Sequence, residues 1–273
     1  MNDINKAFQK ERARGSGVLI GYVMAGDPKL ELTPKIADVL IKGGVDILEL
    51  GLPFSDPVAD GLTIQTASVR ALAAGTTPVK VLETAKKIRQ NHDMPIIIMT
   101  YYNPVFRMGL EKFFGLAKKC MVNGIIIPDL PPEEAGDCKK TANKLGIDLI
   151  FLAAPSTSNE RLSRIVEFSS GFLYLVSHFG VTGAKAAVED STIQLVKRVL
   201  PFTSDKIALA VGFGISKPEH VQRILAAGAD GVIVGSAFIN LIRKYKENIN
   251  DMLKELEAAA SKLKSATKLP STE

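Results

Sequence analysis

The sequence predicts a single (β/α)₈ barrel. The chain has 273 residues, and one such barrel needs about 250 residues. Eight short apolar runs rich in β-branched residues recur along it, as strands buried on both faces of a parallel sheet do. Amphipathic stretches with helix start and stop signals separate these runs. An open doubly wound sheet is the alternative, but eight regular units in this length favour closure into a barrel.

The elements follow one another in a regular order. The predicted strands cover residues 18–26, 46–51, 95–102, 124–129, 148–154, 172–177, 206–214 and 231–236. Asp27-Pro28 and Thr77-Pro78 are typical of a helix start, in which an N-cap residue precedes proline. Two helices lie outside the repeat: one over about 3–13, expected to cover the barrel floor, and a long charged one over about 237–264. Residues 1–273 form one domain, with a tail from about 265 predicted to fray.

Composition excludes several classes of protein. No apolar run approaches the roughly 18 residues that cross a bilayer, and the polar N-terminus is no secretory signal, so a cytoplasmic location is expected. The net charge is +5, but Lys and Arg are scattered without interleaved aromatics, which disfavours nucleic-acid binding. Cys120 and Cys138 are expected to be reduced. No group of His, Cys and acidic residues has the spacing of metal ligands.

The second predicted strand ends in a carboxylate, Glu49. Ile47 and Glu49 share one face of this strand, and both faces are buried, so an ionised carboxylate there is costly unless it is paired or faces a polar cavity. A structural ion pair is one interpretation. The other is an acid/base group whose pKa is raised by burial. In barrels of this class the active site lies at the strand C-termini, which is where Glu49 is predicted to be.

A long polar loop, residues 51–65, follows Glu49. Asp56 and Asp60 are both compatible with ordinary turn positions. Asp60 is the better candidate for a second carboxylate over the same cavity, because Gly61 frees the backbone after it.

Glycines mark the ends of the seventh and eighth strands. Gly212 and Gly214 end one, while Gly235 and Ser236 end the other and begin a helix. Glycines let a phosphate approach backbone amides, and a helix N-terminus favours an anion, so a phosphate site is predicted here. The loop over 177–191 is rich in small residues and is predicted to be a lid, with Gly183 able to reach the phosphate.

Six segments resemble the tryptophan synthase α-subunit family. They are ELGLPFSDPVADG (49–61), MTYYNP (99–104), IPDLPPEEA (127–135), GVTGA (180–184), VGFGIS (211–216) and GSA (235–237). The resemblance covers nearly the whole chain in order, and its PFSDP…ADG segment is highly specific. It implies a lyase that cleaves indole-3-glycerol phosphate to indole and glyceraldehyde 3-phosphate by a retro-aldol step.

The resemblance also implies residue roles. Glu49 falls on the acid/base residue, Asp60 on the carboxylate that hydrogen-bonds the indole N–H, and Thr182 on a lid residue that closes onto Asp60. The phosphate site falls on Gly183, Gly214, Gly235 and Ser236, and the indole pocket on Tyr22 and Tyr174. The partner-facing set falls on Asp56, Pro57, Asn103, Phe106 and Asp129. That partner is the family's β subunit, which carries pyridoxal phosphate in an αββα tetramer, and no metal or organic cofactor is implied for this chain.

Some positions depart from the family pattern. His178-Phe179 follows the lid serine where many members have Arg, which affects lid closure more than chemistry. Tyr22 replaces a family Phe. A free-standing indole-glycerol phosphate lyase, a non-catalytic regulator of the β enzyme and another phosphate-binding barrel, such as an isomerase, are the alternatives. The intact carboxylates Glu49 and Asp60 argue against the regulator, and the PFSDP…ADG segment argues against another barrel.

Overall fold

The computed structural model describes residues 2–177, 185–212 and 214–269, and only the backbone over 185–190. All strand pairs are parallel, in the order β5-β4-β3-β2-β1-β9-β8-β7-β6. The strands are β1 (Val18–Met24), β2 (Ile47–Gly51), β3 (Ile96–Met99), β4 (Gly124–Ile126), β5 (Asp148–Ile150), β6 (Leu152–Ala153), β7 (Phe172–Val176), β8 (Ala208–Gly212) and β9 (Gly231–Val234).

In the described part of the chain, nine strand segments make eight barrel staves, because β5 and β6 are separated only by Phe151. The N–H of Ser170 donates to Leu149 O at 3.0 Å, and the N–H of Tyr174 donates to Phe151 O at 3.1 Å. These bonds join the β5–β6 stave to β7 and close the ring. The predicted (β/α)₈ barrel is therefore confirmed, and each of the eight predicted strands corresponds to one stave.

Helices alternate with the strands. They are α1 (Asp3–Ala13), α2 (Thr33–Lys42), α3 (Leu62–Ala73), α4 (Pro78–Asn91), α5 (Tyr102–Met108), α6 (Leu110–Lys119), α7 (Gly136–Leu145), α8 (Asn159–Phe168), α9 (Lys185–Thr203), α10 (Pro218–Ala226), α11 (Ser236–Tyr245) and α12 (Ile249–Ser265), with a short 3₁₀ turn at Leu30–Leu32 before α2. No helix among the described residues is long and apolar enough to span a membrane.

The first helix covers the barrel floor, as predicted. Ile4 and Phe8 of α1 are buried, and the Phe8 ring packs 5.7 Å from that of Phe172 at the start of β7. Cβ atoms built on Gly124 and Gly231 would lie 3.0 Å and 3.1 Å from these α1 side chains. The N-terminal end of the barrel is thus filled with apolar groups, which leaves the opposite end for chemistry.

Two helix predictions were wrong. The predicted helix over 237–264 is two helices, because the chain turns at Asn248, whose side chain accepts a hydrogen bond from the Asp251 N–H and caps α12. Asp27-Pro28 does not begin a helix either. The helical segment begins at Leu30, and the buried Asp27 carboxylate pairs with Arg70 instead.

The tail predicted to fray from residue 265 is attached at its start. Thr267 is buried and its hydroxyl lies 2.8 Å from that of Ser16. The Leu269 N–H donates to Gly15 O at 2.9 Å. Residues 270–273 lie outside the described part of the chain. Burial against the floor explains the difference, since Ala266 also packs into the core.

Candidate active site

Glu49 projects into the upper end of the barrel from β2. Its neighbours in register are Tyr22 on β1 and Ile97 on β3. The residue is 0% exposed, and neither carboxylate oxygen hydrogen-bonds to a described residue. The structural ion pair, one interpretation of this carboxylate, is therefore excluded among the described residues. The side chain instead lines a cavity with Asp60, Tyr22 and Tyr174.

Asp60 reaches the same cavity from the loop after β2. Its N–H donates to Pro57 O at 3.0 Å, and its own carbonyl accepts from the Gln65 side chain of α3 at 2.8 Å. The Tyr101 hydroxyl donates to the Asp60 carboxylate and accepts from the Ala59 N–H at 3.0 Å. Hydrogen bonds thus fix both the backbone and the carboxylate of Asp60, so the residue is more than part of an ordinary turn.

Burial changes the protonation of both carboxyls. Loss of water, and then the nearby charge of Asp60, raises the pKa of Glu49 from 4.5 to about 8. Burial raises the pKa of Asp60 from 3.8 to about 6, although the hydrogen bond from Tyr101 opposes that rise. At neutral pH the site therefore holds a protonated Glu49 beside an ionised Asp60, which is a proton donor next to an anion.

Two tyrosines complete the walls of the cavity. Tyr22 and Tyr174 are both buried, and each fits only because a neighbouring strand ends in glycine. A Cβ on Gly51 would lie 2.2 Å from the Tyr22 hydroxyl, and one on Gly212 would lie 2.5 Å from the Tyr174 hydroxyl. Burial, and then the charges that the two carboxyls carry when ionised, keep the pKa of either phenol well above its usual range. The tyrosines are therefore neutral at physiological pH.

The far side of the cavity has the features of an anion site. Gly214, Gly235 and Ser236 line it, and Ser236 is the first residue of α11. Gly214 has a φ of +76°, a conformation that glycine adopts without strain. The unsatisfied N–H groups of the α11 N-terminus and the helix dipole favour a bound anion at this end. The structure thus brings three of the four predicted phosphate residues together.

Comparison with known proteins decides the family. The family model described as "Tryptophan synthase alpha chain" matches residues 8–268. The chain is 49% identical over 265 residues to the tryptophan synthase alpha chain of Methanosarcina barkeri, with 97% of each chain covered. It is 47% identical to that of Methanothermobacter thermautotrophicus over 247 residues, which are 90% of this chain and 91% of the relative.

The chain belongs to the tryptophan synthase alpha chain family. Solved structures agree: tryptophan synthase subunit alpha from Legionella pneumophila superposes with a TM-score of 0.89 at 36% identity, covering 98% of each chain. A chain of the tryptophan synthase complex from Pyrococcus furiosus gives a TM-score of 0.83 at 37% identity, covering 91% of this chain and 98% of that one. The family makes this protein a lyase of tryptophan biosynthesis whose partner is a beta subunit.

The predicted partner-facing residues of this alpha chain follow β2, β3 and β4 at the same end of the barrel, three in loops and two in α5. Asp56, Asn103, Phe106 and Asp129 are exposed and Pro57 is half-buried. Their surroundings are unusually apolar for a surface: Val58 is 82% exposed, Leu62 79% and Phe106 66%. Exposed apolar groups of this size are typical of an interaction surface.

Part of the predicted lid lies outside the described residues. This part of the lid contains Thr182, Gly183, His178 and Phe179. The predicted loop over 177–191 is also too long, because α9 begins at Lys185. The segment Ala186–Ala187–Val188–Glu189 contains good helix formers, which accounts for the earlier start.

Sequence reasoning missed two interactions of residues that follow the strand ends. Tyr101 was visible only as part of the MTYYNP segment, yet it lies two residues after the end of β3, where active-site residues concentrate. Arg70 of α3 donates two hydrogen bonds of 2.7 Å to the buried carboxylate of Asp27, and no sequence signal pairs residues 43 positions apart. No group of three or more potential metal ligands occurs in the described residues.

Proposed function

We propose that this chain cleaves indole-3-glycerol phosphate to indole and glyceraldehyde 3-phosphate with Glu49 as the acid/base group and Asp60 as its partner. The observation that carries the proposal is the buried Glu49 carboxyl, which has no hydrogen-bond partner among the described residues and faces Asp60 across one cavity. A buried carboxyl without a structural partner costs stability, so its retention is explained by chemistry.

The protonation states suit the reaction. The protonated Glu49 delivers its proton to the ring carbon that bears the glycerol chain, which makes the ring an electron-poor indolenine. The ionised Asp60 accepts the ring N–H and stabilises the positive charge. The carboxylate left on Glu49 then removes the proton of the chain hydroxyl as the C–C bond breaks. Each positioned acid or base contributes about 10²–10⁴-fold in rate.

The rest of the cavity divides the substrate into two ends. The phosphate binds at Gly214, Gly235 and Ser236, where the α11 N-terminus supplies N–H donors. The indole lies against the rings of Tyr22 and Tyr174, whose apolar faces match it. Thr182 and Gly183 act from the lid, Thr182 on Asp60 and Gly183 on the phosphate.

The surface formed by the predicted partner-facing residues and the exposed apolar residues beside them binds the beta subunit. Asp56, Pro57, Asn103, Phe106 and Asp129 form its polar and aromatic framework, and Val58 and Leu62 add apolar area. We infer an αββα heterotetramer in which the beta subunit carries pyridoxal phosphate. Because the surface includes the loop that carries Asp60, docking of the partner acts on the catalytic carboxylate through this loop and raises turnover.

The test is indole release from indole-3-glycerol phosphate by the purified chain, with and without a beta subunit. Wild-type turnover that rises with the beta subunit, and that falls at least about 10²-fold in both Glu49→Gln and Asp60→Asn, supports the proposal. Val58→Asp serves as an interface variant that retains basal turnover and loses activation. No turnover even with the partner present refutes the lyase assignment and leaves a regulatory role, whereas partner-independent full turnover points to a free-standing lyase.

A further inference from the structure

The phenol ring of Tyr22 crosses from the phosphate end of the cavity to the carboxylate end. A Cβ on Gly235 of the α11 start would lie 3.1 Å from the Tyr22 ring, and a Cβ on Gly51 of β2 would lie 2.2 Å from its hydroxyl. The base of the ring thus rests on the strand end that binds phosphate. Its hydroxyl rests on β2, the strand that carries Glu49. Glu49 precedes Gly51 by two residues, so the two share one face of the strand.

This path is the one that the three-carbon chain of the substrate must take. The chain joins the phosphate, at Gly235 and Ser236, to the indole carbon that Glu49 protonates. A side chain that spans the same two points borders the glycerol carbons as well as the indole, and its tip lies near the carbon whose bond to the ring breaks. The Tyr22 hydroxyl therefore lies where it can hydrogen-bond an oxygen of the glycerol chain.

The hydroxyl is also available for that ligand. No hydrogen bond joins the Tyr22 side chain to another described residue, and Tyr22 lines the same cavity as Glu49 and Asp60. Asp60 already has a hydrogen-bond donor, because the Tyr101 hydroxyl donates to its carboxylate. Glu49, the neighbour of Tyr22 in register, likewise makes no hydrogen bond to a described residue, so the phenol and the carboxyl both face the substrate.

We propose that the Tyr22 hydroxyl donates a hydrogen bond to the substrate oxygen that becomes the aldehyde oxygen of glyceraldehyde 3-phosphate. This inference rests on the proposed function and adds a third group to its centre. Because the phenol occupies one lone pair of that oxygen, the oxygen's own proton is directed toward Glu49. Tyr22 thereby acts as a catalytic and specificity-determining residue.

The step is balanced with respect to atoms and electrons. The O–H bond breaks and its proton passes to the Glu49 carboxylate. The electron pair of that bond forms the C=O bond as the C–C bond to the ring breaks, and the released pair restores the aromatic indole from the indolenine. Tyr22 keeps its proton throughout, as a neutral donor to an oxygen that carries partial negative charge in the transition state.

The test compares Tyr22→Phe with wild type on two ligands. One is indole-3-glycerol phosphate, followed as kcat/KM for indole release. The other is indole-3-propanol phosphate, which lacks both chain hydroxyls, followed as Kd by fluorescence titration. We expect kcat/KM to fall about 10-fold, the value of one hydrogen bond to a partly charged oxygen, while the Kd of the deoxy ligand stays within about 2-fold. Tyr245→Phe, which removes the same atom from a site on α11, is the matched control and changes neither value.

Three results overturn the inference. An unchanged kcat/KM in Tyr22→Phe, beside an active wild type, makes the hydroxyl a spectator and leaves the proposed function intact. Equal weakening of both ligands makes Tyr22 only a wall of the indole pocket. If Tyr22→Phe shifts the acid limb of the kcat/KM pH profile and changes kcat/KM and the Kd of the deoxy ligand by the same factor, Tyr22 acts on Asp60 and not on the substrate oxygen. If wild type neither turns over the substrate nor binds the deoxy ligand, the proposed function fails as well.

Discussion

Replacing Glu49 with Gln is expected to inactivate the protein and also to stabilise it at alkaline pH. The folded state buries Glu49 completely and gives it no hydrogen-bond partner among the described residues, so ionising it there is costly. Gln has nearly the same shape and no charge to desolvate. The variant therefore removes a penalty that wild type carries whenever the carboxyl is ionised.

The pKa of Glu49 sets the size and sign of the effect. Folding raises that pKa from 4.5 to about 8, so the folded state holds the proton more tightly than the unfolded state does. Stability contributed by this group is then fully present below pH 4.5 and is lost as pH rises to about 8. At about 1.36 kcal/mol per pH unit over that interval, the loss is about 4–5 kcal/mol.

Urea unfolding at pH 5, 7 and 9 measures this loss. The free energy of unfolding of wild type is expected to fall relative to Glu49→Gln by about 3 kcal/mol between pH 5 and pH 7, and by a further 1–2 kcal/mol by pH 9. Comparing slopes with pH cancels any fixed cost of burying the amide. Parallel curves for the two proteins across this range would refute the reasoning, because they would mean that Glu49 is hydrated or paired in the folded state.

Three further changes have expected outcomes. Gly51→Ala puts a methyl group 2.2 Å from a tyrosine hydroxyl, so it costs about 1–3 kcal/mol in urea unfolding and displaces the ring from the cavity, which lowers turnover. Arg70→Met leaves the carboxylate of Asp27 buried and unpaired, so it costs about 3–5 kcal/mol; the double variant with Asp27→Asn recovers much of that loss, and failure to recover it argues against the ion pair. Tyr101→Phe removes the donor that lowers the pKa of Asp60, so the acid limb of kcat/KM moves to higher pH, whereas an unmoved limb contradicts that role.

Most of the fold was predictable because buried parallel strands are short, apolar and β-branched. Each of the eight predicted runs is a barrel stave, and the buried carboxylate at the end of β2 indicated where the cavity would lie. Local patterns failed where a distant partner decides the conformation. Asp27-Pro28 resembles a helix start, yet the carboxylate binds Arg70 of α3.

The candidate site was predictable in its parts more than in its arrangement. A carboxylate on a buried strand, glycines at two adjacent strand ends and a helix that starts beside them are all visible in the sequence. The contacts of Tyr22 with Gly51 and Gly235 are not, because they depend on the register between neighbouring strands. Tyr101 was missed for the same reason: its bond to Asp60 joins two loops that only the closed barrel brings together.

The pH profile of kcat/KM for indole release tests the central claim most directly. Catalysis requires an ionised Asp60 and a protonated Glu49, so the profile is expected to be a bell with limbs near pH 6 and pH 8, which belong to the two carboxyls as a pair. The same profile in Asp60→Asn loses its acid limb and most of its height. A wild-type profile that is flat across pH 5–9, or one that Asp60→Asn leaves unchanged in shape, would contradict the account.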